Sequence, residues 1–67
     1  MTYEIETEQE ADGRWVAEIK AIPGALVYGQ TKLEALQRVQ ALALRVMADR
    51  LEHAEANALV NVTFRAA

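Results

Sequence analysis

Apolar and polar residues alternate through residues 2–9, TYEIETEQ. Tyr3, Ile5 and Thr7 fall on one face and Thr2, Glu4, Glu6 and Glu8 on the other. That period of two predicts a half-buried strand with an acidic outer face. Ala11-Asp12-Gly13 follows, and Asp-Gly is a strong hairpin signal because both residues tolerate turn dihedrals. Residues 14–20, RWVAEIK, read as the return strand, with Trp15, Ala17 and Ile19 inward and Arg14, Val16, Glu18 and Lys20 outward. In register, Arg14, Glu18 and Lys20 would lie near the glutamates of the first strand, where opposite charges help modestly. Pro23-Gly24 predicts a type II turn, Pro presetting one dihedral and Gly taking the positive one. Residues 25–28, ALVY, read as a short third strand closed by Gly29.

The pattern then changes period. From Thr31 to about Glu52 no Gly or Pro occurs, and Ala and Leu dominate, both with little helix penalty. Thr31 with Glu34 three residues on fits a capping box, the hydroxyl accepting from the Glu34 amide while the carboxylate reaches back. At 100° per residue, Ala35, Leu36, Val39, Leu42, Ala43, Val46 and Met47 gather on one side, and Leu33, Leu44 and Leu51 extend it. The apolar arc is about 200° wide, against the ~100° that a surface helix needs. The surplus predicts that part of this helix, or of the sheet beneath it, meets another chain. Residues 53–57, HAEAN, are the exit, with Asn57 a turn residue; residues 58–65, ALVNVTFR, alternate again, with Val60, Val62 and Phe64 on one face of a fourth strand. The expected fold is α+β in the order β-β-β-α-β, a small mostly antiparallel sheet with one long helix on one face. All of 1–67 forms one domain.

Composition sharpens this picture. A chain of 67 residues buries only about 60% of the surface exposed on unfolding, so it is marginal alone. It has no Cys, which removes disulfides and thiolate metal sites as staples, and 52% of its residues are hydrophobic. Oligomerisation is the remaining common staple. The net charge of −3 argues against nucleic-acid binding and suits a basic partner. The first ten residues carry neither a basic nor an apolar stretch of the signal-peptide kind, and no apolar run approaches the ~18 residues of a membrane span. The expected location is the cytoplasm.

The series Asp12-Gly13-Arg14-Trp15, Pro23-Gly24, Gly29, and Thr31 with Glu34-Ala35 resembles the HicB-like antitoxin family over residues 3 to 51. Each piece is common, but the series at this spacing is not. The resemblance implies a partial ribonuclease-H-like core of three strands, a helix and a fourth strand. It implies a toxin–antitoxin role: binding a HicA-type toxin, a small basic ribonuclease that uses a His, and blocking its active site. Many family members add a C-terminal DNA-binding module. The given sequence runs to Ala67 with no basic tail, so operator binding is not carried over to this chain.

Candidate chemistry is sparse. A ribonuclease-H enzyme needs inward carboxylates to hold two divalent ions that clamp the attacking and leaving oxygens. Glu4, Glu6 and Glu8 share a strand face, but alternation alone produces that, and no Asp sits mid-strand at a buried position. His53 is the only His; near a helix C-terminus it reads as a capping residue, with Asp49 one turn earlier and no Ser or Cys to activate. Gly13, Gly24 and Gly29 are isolated and form no phosphate loop. Arg38 and Arg45 share a flank with Asp49, interleaved by Glu34 and Glu52, and read as a solvated face. No catalytic residue, cofactor or metal is expected. Candidate interface residues are Trp15, Tyr28, Leu44 and Leu51, although Trp15 also reads as core. Asp12, Gly13, Pro23, Gly24, Gly29, Thr31 and Glu34 have turn and cap roles. The expected partners are a second copy of the chain and a small basic HicA-like toxin, with neither direct nucleic-acid nor membrane binding. The alternative is an orphan oligomeric interaction module with no toxin, and a residual nuclease is the weakest reading.

Overall fold

The computed structural model describes residues 1–53 and 60–67. Five elements follow in the order β1 (Thr2–Gln9), β2 (Trp15–Glu18), β3 (Leu26–Gly29), α1 (Lys32–Glu52) and β4 (Thr63–Ala66). The strands form one sheet in the order β3-β2-β1-β4. β1–β2 and β2–β3 are antiparallel, and β1–β4 is parallel. The fold is therefore the α+β, β-β-β-α-β arrangement that the patterning predicts, with a mixed sheet and the helix on one face.

Each turn forms for a local reason. In the first hairpin the Gly13 amide donates to the Glu10 carbonyl (2.9 Å) and the Glu10 amide to the Arg14 carbonyl (2.7 Å), closing a three-residue loop. Gly13 takes a φ of 92°, which costs a residue without Cβ nothing. In the second turn the Ala25 amide donates to the Ile22 carbonyl (3.0 Å), with Pro23 and then Gly24 at φ 86° between them. That is the type II pattern. The turn folds Ile22 and Ala25 inward, where both are buried.

The helix starts on its cap. Thr31 is extended (φ −129°, ψ 162°), and its hydroxyl accepts from the Glu34 amide at 3.0 Å. The Glu34 carboxylate reaches back to the Gln30 amide (2.9 Å), one residue outside the cap. At the far end the His53 amide donates to the Asp49 and Leu51 carbonyls. The His53 ring Nδ1 lies 2.7 Å from the Asp49 carbonyl oxygen, a capping arrangement. The expected exit turn around Asn57 and the expected opening of the last strand at Ala58 and Leu59 lie outside the described residues.

The core sits between α1 and the sheet. It comprises Ile5, Ala17, Ile19, Ile22, Ala25, Ala35, Val39 and Ala43, with Tyr3, Trp15, Val27, Leu36, Val46, Met47 and Phe64 packed around it. Ala35, Val39 and Ala43 recur every four residues, and these small side chains let the helix lie close to the strands. Gly29 continues that close approach: an added Cβ would lie 2.6 Å from the Ala35 amide nitrogen. The inward face expected for the first hairpin is the observed one, since Ile5, Ala17 and Ile19 are buried and Tyr3 and Trp15 half-buried.

Three strands differ in their bounds from the patterning; the third covers Leu26–Gly29 instead of residues 25–28, because the Ala25 amide closes the turn onto Ile22 and Gly29 pairs with Trp15. The second strand covers Trp15–Glu18 instead of residues 14–20, because Arg14 closes the loop and Lys20 enters the next turn. The fourth begins at Thr63, well after residue 58. Thr63 pairs with Thr2, the first residue of β1; ahead of that pair the Met1 carbonyl accepts from the Thr63 amide and the Met1 amino group donates to the Asn61 carbonyl (2.8 Å).

Candidate functional site

Strand parity assigns the two faces of the sheet. Register places Glu8, Val16 and Tyr28 in one cross-strand row and Glu6, Glu18 and Leu26 in the next. Glu4 and Arg65 form a third row. All of these side chains point away from the helix, because Ile5, Ala17 and Ile19 alternate with them and are buried under it.

Charge on this outer face is unbalanced. The carboxylates are Glu4, Glu6, Glu8 and Glu18, with Asp12 at the hairpin end, against the cations Arg14, Lys20 and Arg65. Arg65 pairs with Glu4, and the Lys20 ammonium lies 3.3 Å from Glu6. Glu8 and Glu18 have no ion-pair partner among the described residues. Glu18 stands directly opposite Glu6, an unfavourable like-charge pair, where sequence patterning anticipates cross-strand attraction. Glu6, Thr7, Glu8, Val16, Glu18 and Lys20 line an open depression on this face. Beside it lie two apolar side chains in water: Leu26 is 45% exposed and Tyr28 42%.

Arg14 does not reach the β1 glutamates. Its Nε donates to the Asp12 carboxylate at 2.8 Å, and its guanidinium carbon lies 4.6 Å from the centroid of the Tyr28 ring. The ion pair is exposed and contributes little, and the cation–π contact, also exposed, adds about 0.5–1 kcal/mol. The Asp12 carboxyl is held below its ordinary value, first by the Arg14 backbone N–H (3.1 Å) and then by the Arg14 side chain.

The four candidate interface residues do not converge. Tyr28 belongs to the outer face just described. Trp15 lies on the inner face beside the core, half-buried, with the Lys32 ammonium 5.9 Å from the centroid of its ring. Leu44 and Leu51 sit on the helix flank, 52% and 39% exposed, with Leu33 at 65%. The helix therefore does not bury its whole apolar arc against the sheet.

Arg38 has a role that the patterning does not reveal. Its Nη1 donates to the Tyr28 carbonyl at 2.9 Å, and Glu34 holds the same guanidinium at 3.3 Å. The i,i+4 spacing of Glu34 and Arg38 is visible in the sequence. The strand beneath that flank is a tertiary fact and is not.

Metal and nucleophile chemistry find little here. Among the described residues no group of three His, Cys, Asp or Glu side chains could hold a metal ion, and no polar or charged side chain is buried. His53 and Asp49 stand 3.4 Å apart at the exposed helix end. No helix among the described residues is long and apolar enough to cross a membrane. No family model, curated protein or solved structure matches this chain.

Proposed function

We propose that this chain is an antitoxin-like binding protein of the cytoplasm that neutralises a small basic HicA-type ribonuclease by direct contact, with no chemistry of its own. The observation that carries the reading is the outer sheet face. It sets Glu8 and Glu18, which have no ion-pair partner among the described residues, beside exposed Leu26 and Tyr28 on the edge strand, an acidic patch bordered on one side by apolar and aromatic surface. Such a surface suits a basic protein whose cationic groups otherwise hold RNA phosphates, since it would occupy those groups and exclude the nucleic acid. The resemblance of residues 3–51 to HicB-like antitoxins supports the same partner class.

Co-expression with the neighbouring open reading frame tests the proposal. The neighbour should be a small basic protein that is toxic alone and harmless with this chain. A neighbour lacking either property defeats the idea. A second reading, an orphan oligomeric module, is favoured by Leu33, Leu44 and Leu51 lying exposed along one helix flank. It predicts self-association in the absence of any toxin.

A further inference from the structure

A sheet of four strands has two edges, and this protein treats them differently. Strand parity identifies the backbone groups that point outward. On β3, the Ile19 amide donates to the Ala25 carbonyl, so residues 25, 27 and 29 turn toward β2, and Leu26 and Tyr28 turn outward. On β4, Thr63 and Ala67 donate to the Met1 and Ile5 carbonyls, so Phe64 and Ala66 turn outward.

The β3 edge is partly covered: among the described residues the Leu26 carbonyl and the Tyr28 amide have no partner, and its other outward groups are taken. The Leu26 amide donates to the Gly24 carbonyl within the turn (3.0 Å). Arg38 fills the Tyr28 carbonyl, and Glu34 takes the Gln30 amide that follows. A charged side chain laid on an edge is a recognised device against strand addition. The β4 edge carries no such cover: among the described residues, the N–H and C=O groups of Phe64 and Ala66 have no hydrogen-bond partner. Two donors and two acceptors in alternation are self-complementary about a two-fold axis through Arg65. Phe64 would then stand opposite Ala66 of a second copy, and all four groups of each chain would be used.

The side chains agree with that seam. Phe64 is half-buried beside Tyr3, their ring centroids 6.2 Å apart, on the helix side of the sheet. Arg38 reaches β3 from one side of the Ala35–Val39–Ala43 row, so the opposite flank, with exposed Leu44 and Leu51, faces the β1–β4 side. The Arg65 side chains that meet at the axis are each already paired with Glu4, which limits their repulsion.

We infer that β4 is a self-association edge, where a second copy pairs antiparallel through Phe64 and Ala66 to make one continuous eight-stranded sheet, while the Arg38–Glu34 clasp partly covers β3. This stands whether or not a toxin exists. Replacing Ala66 by Pro removes an outward N–H and no bond within the protomer, so Ala66→Pro spares the fold. The loss of two hydrogen bonds across the axis should raise the dimer dissociation constant roughly thirty-fold.

The test uses the full chain, with sedimentation over a concentration series and amide exchange read residue by residue. As the dimer forms, the Phe64 and Ala66 amides should become protected while the Tyr28 amide stays fast, and Ala66→Pro should shift the series toward monomer. A protein that stays monomeric at the highest attainable concentration overturns the proposal. So does a dimer that protects Tyr28 instead, or protection at Phe64 that appears only when a basic protein is added. Should Ala66→Pro fail to fold, the exchange pattern of the unsubstituted chain still decides.

Discussion

Gly29 offers a quantitative test of how closely the helix lies on the sheet. Gly29 closes β3, and the three atoms nearest its added Cβ all belong to Ala35: the amide nitrogen at 2.6 Å, Cα at 3.0 Å and Cβ at 3.2 Å. Ordinary carbon contacts begin at about 3.5 Å, so Gly29→Ala must drive the first helical turn outward by several tenths of an ångström. Ala35 is fully buried and its amide donates to Thr31 (3.0 Å), so the shift either stretches that bond or lifts the Ala35–Val39–Ala43 row from Ala17 and Ile19. Overpacking of this kind costs typically 1–3 kcal/mol, and with backbone atoms as the obstacle we expect about 2–3. For a domain of this size that corresponds to a fall in Tm of roughly 10–20 °C. Because the nearest atoms are backbone, removing the Ala35 side chain should not restore stability. Gly29→Ala with Ala35→Gly should remain at least as unstable as the single variant. Gly24→Ala is the companion: nothing lies within 4 Å of its Cβ, and its φ of 86° alone sets a cost of about 1–2 kcal/mol. The assay is denaturant unfolding followed by circular dichroism at one fixed protein concentration, since self-association would shift apparent stability. A Gly29→Ala cost below that of Gly24→Ala, or recovery in the double variant, would refute the reasoning.

Three further outcomes follow from the same structure. Val39→Ala, at a fully buried position, should cost about 2–3 kcal/mol in the same unfolding assay, from lost burial and the cavity left behind. Thr31→Ala removes the acceptor for the Glu34 amide and should cost about 1 kcal/mol, whereas Thr31→Ser should be nearly silent. Asp12 is held below its ordinary value, so folding favours its charged form: its contribution is present above the unfolded value of 3.8 and is lost as pH falls through the lower folded value. Asp12→Asn should therefore flatten the stability–pH curve below about pH 4 and leave its neutral limb with the same slope.

Much of the fold is legible in the chain because local and global preferences agree. The alternation of Tyr3, Ile5 and Thr7, the Asp12-Gly13 and Pro23-Gly24 turns and the Thr31 cap each determine their own element without help. What the chain does not show is set by neighbours. The start of β4 depends on where β1 begins, and Glu18 opposite Glu6 is a consequence of register. Ile22 and Ala25 become core only after the turn between them closes. The candidate site divides the same way. An acidic outer face on β1 is written in alternating glutamates, but its apolar neighbours Leu26 and Tyr28 arrive from β3 through pairing that no periodicity encodes. Arg38 reads as one more solvated charge until β3 is placed beneath it.

In the proposed function the acidic sheet face works by occupying the cationic surface of another protein. The proposal is tested by titrating this chain into the product of the neighbouring reading frame, expected to be a small basic ribonuclease, with RNA cleavage and association rate read together at several salt concentrations. Cleavage should be lost stoichiometrically, and the association rate should fall as salt rises. Glu8→Lys with Glu18→Lys should slow association by roughly ten-fold or more at low salt. Full cleavage in the presence of excess chain, or inhibition that ignores both salt and the two charge reversals, would contradict it.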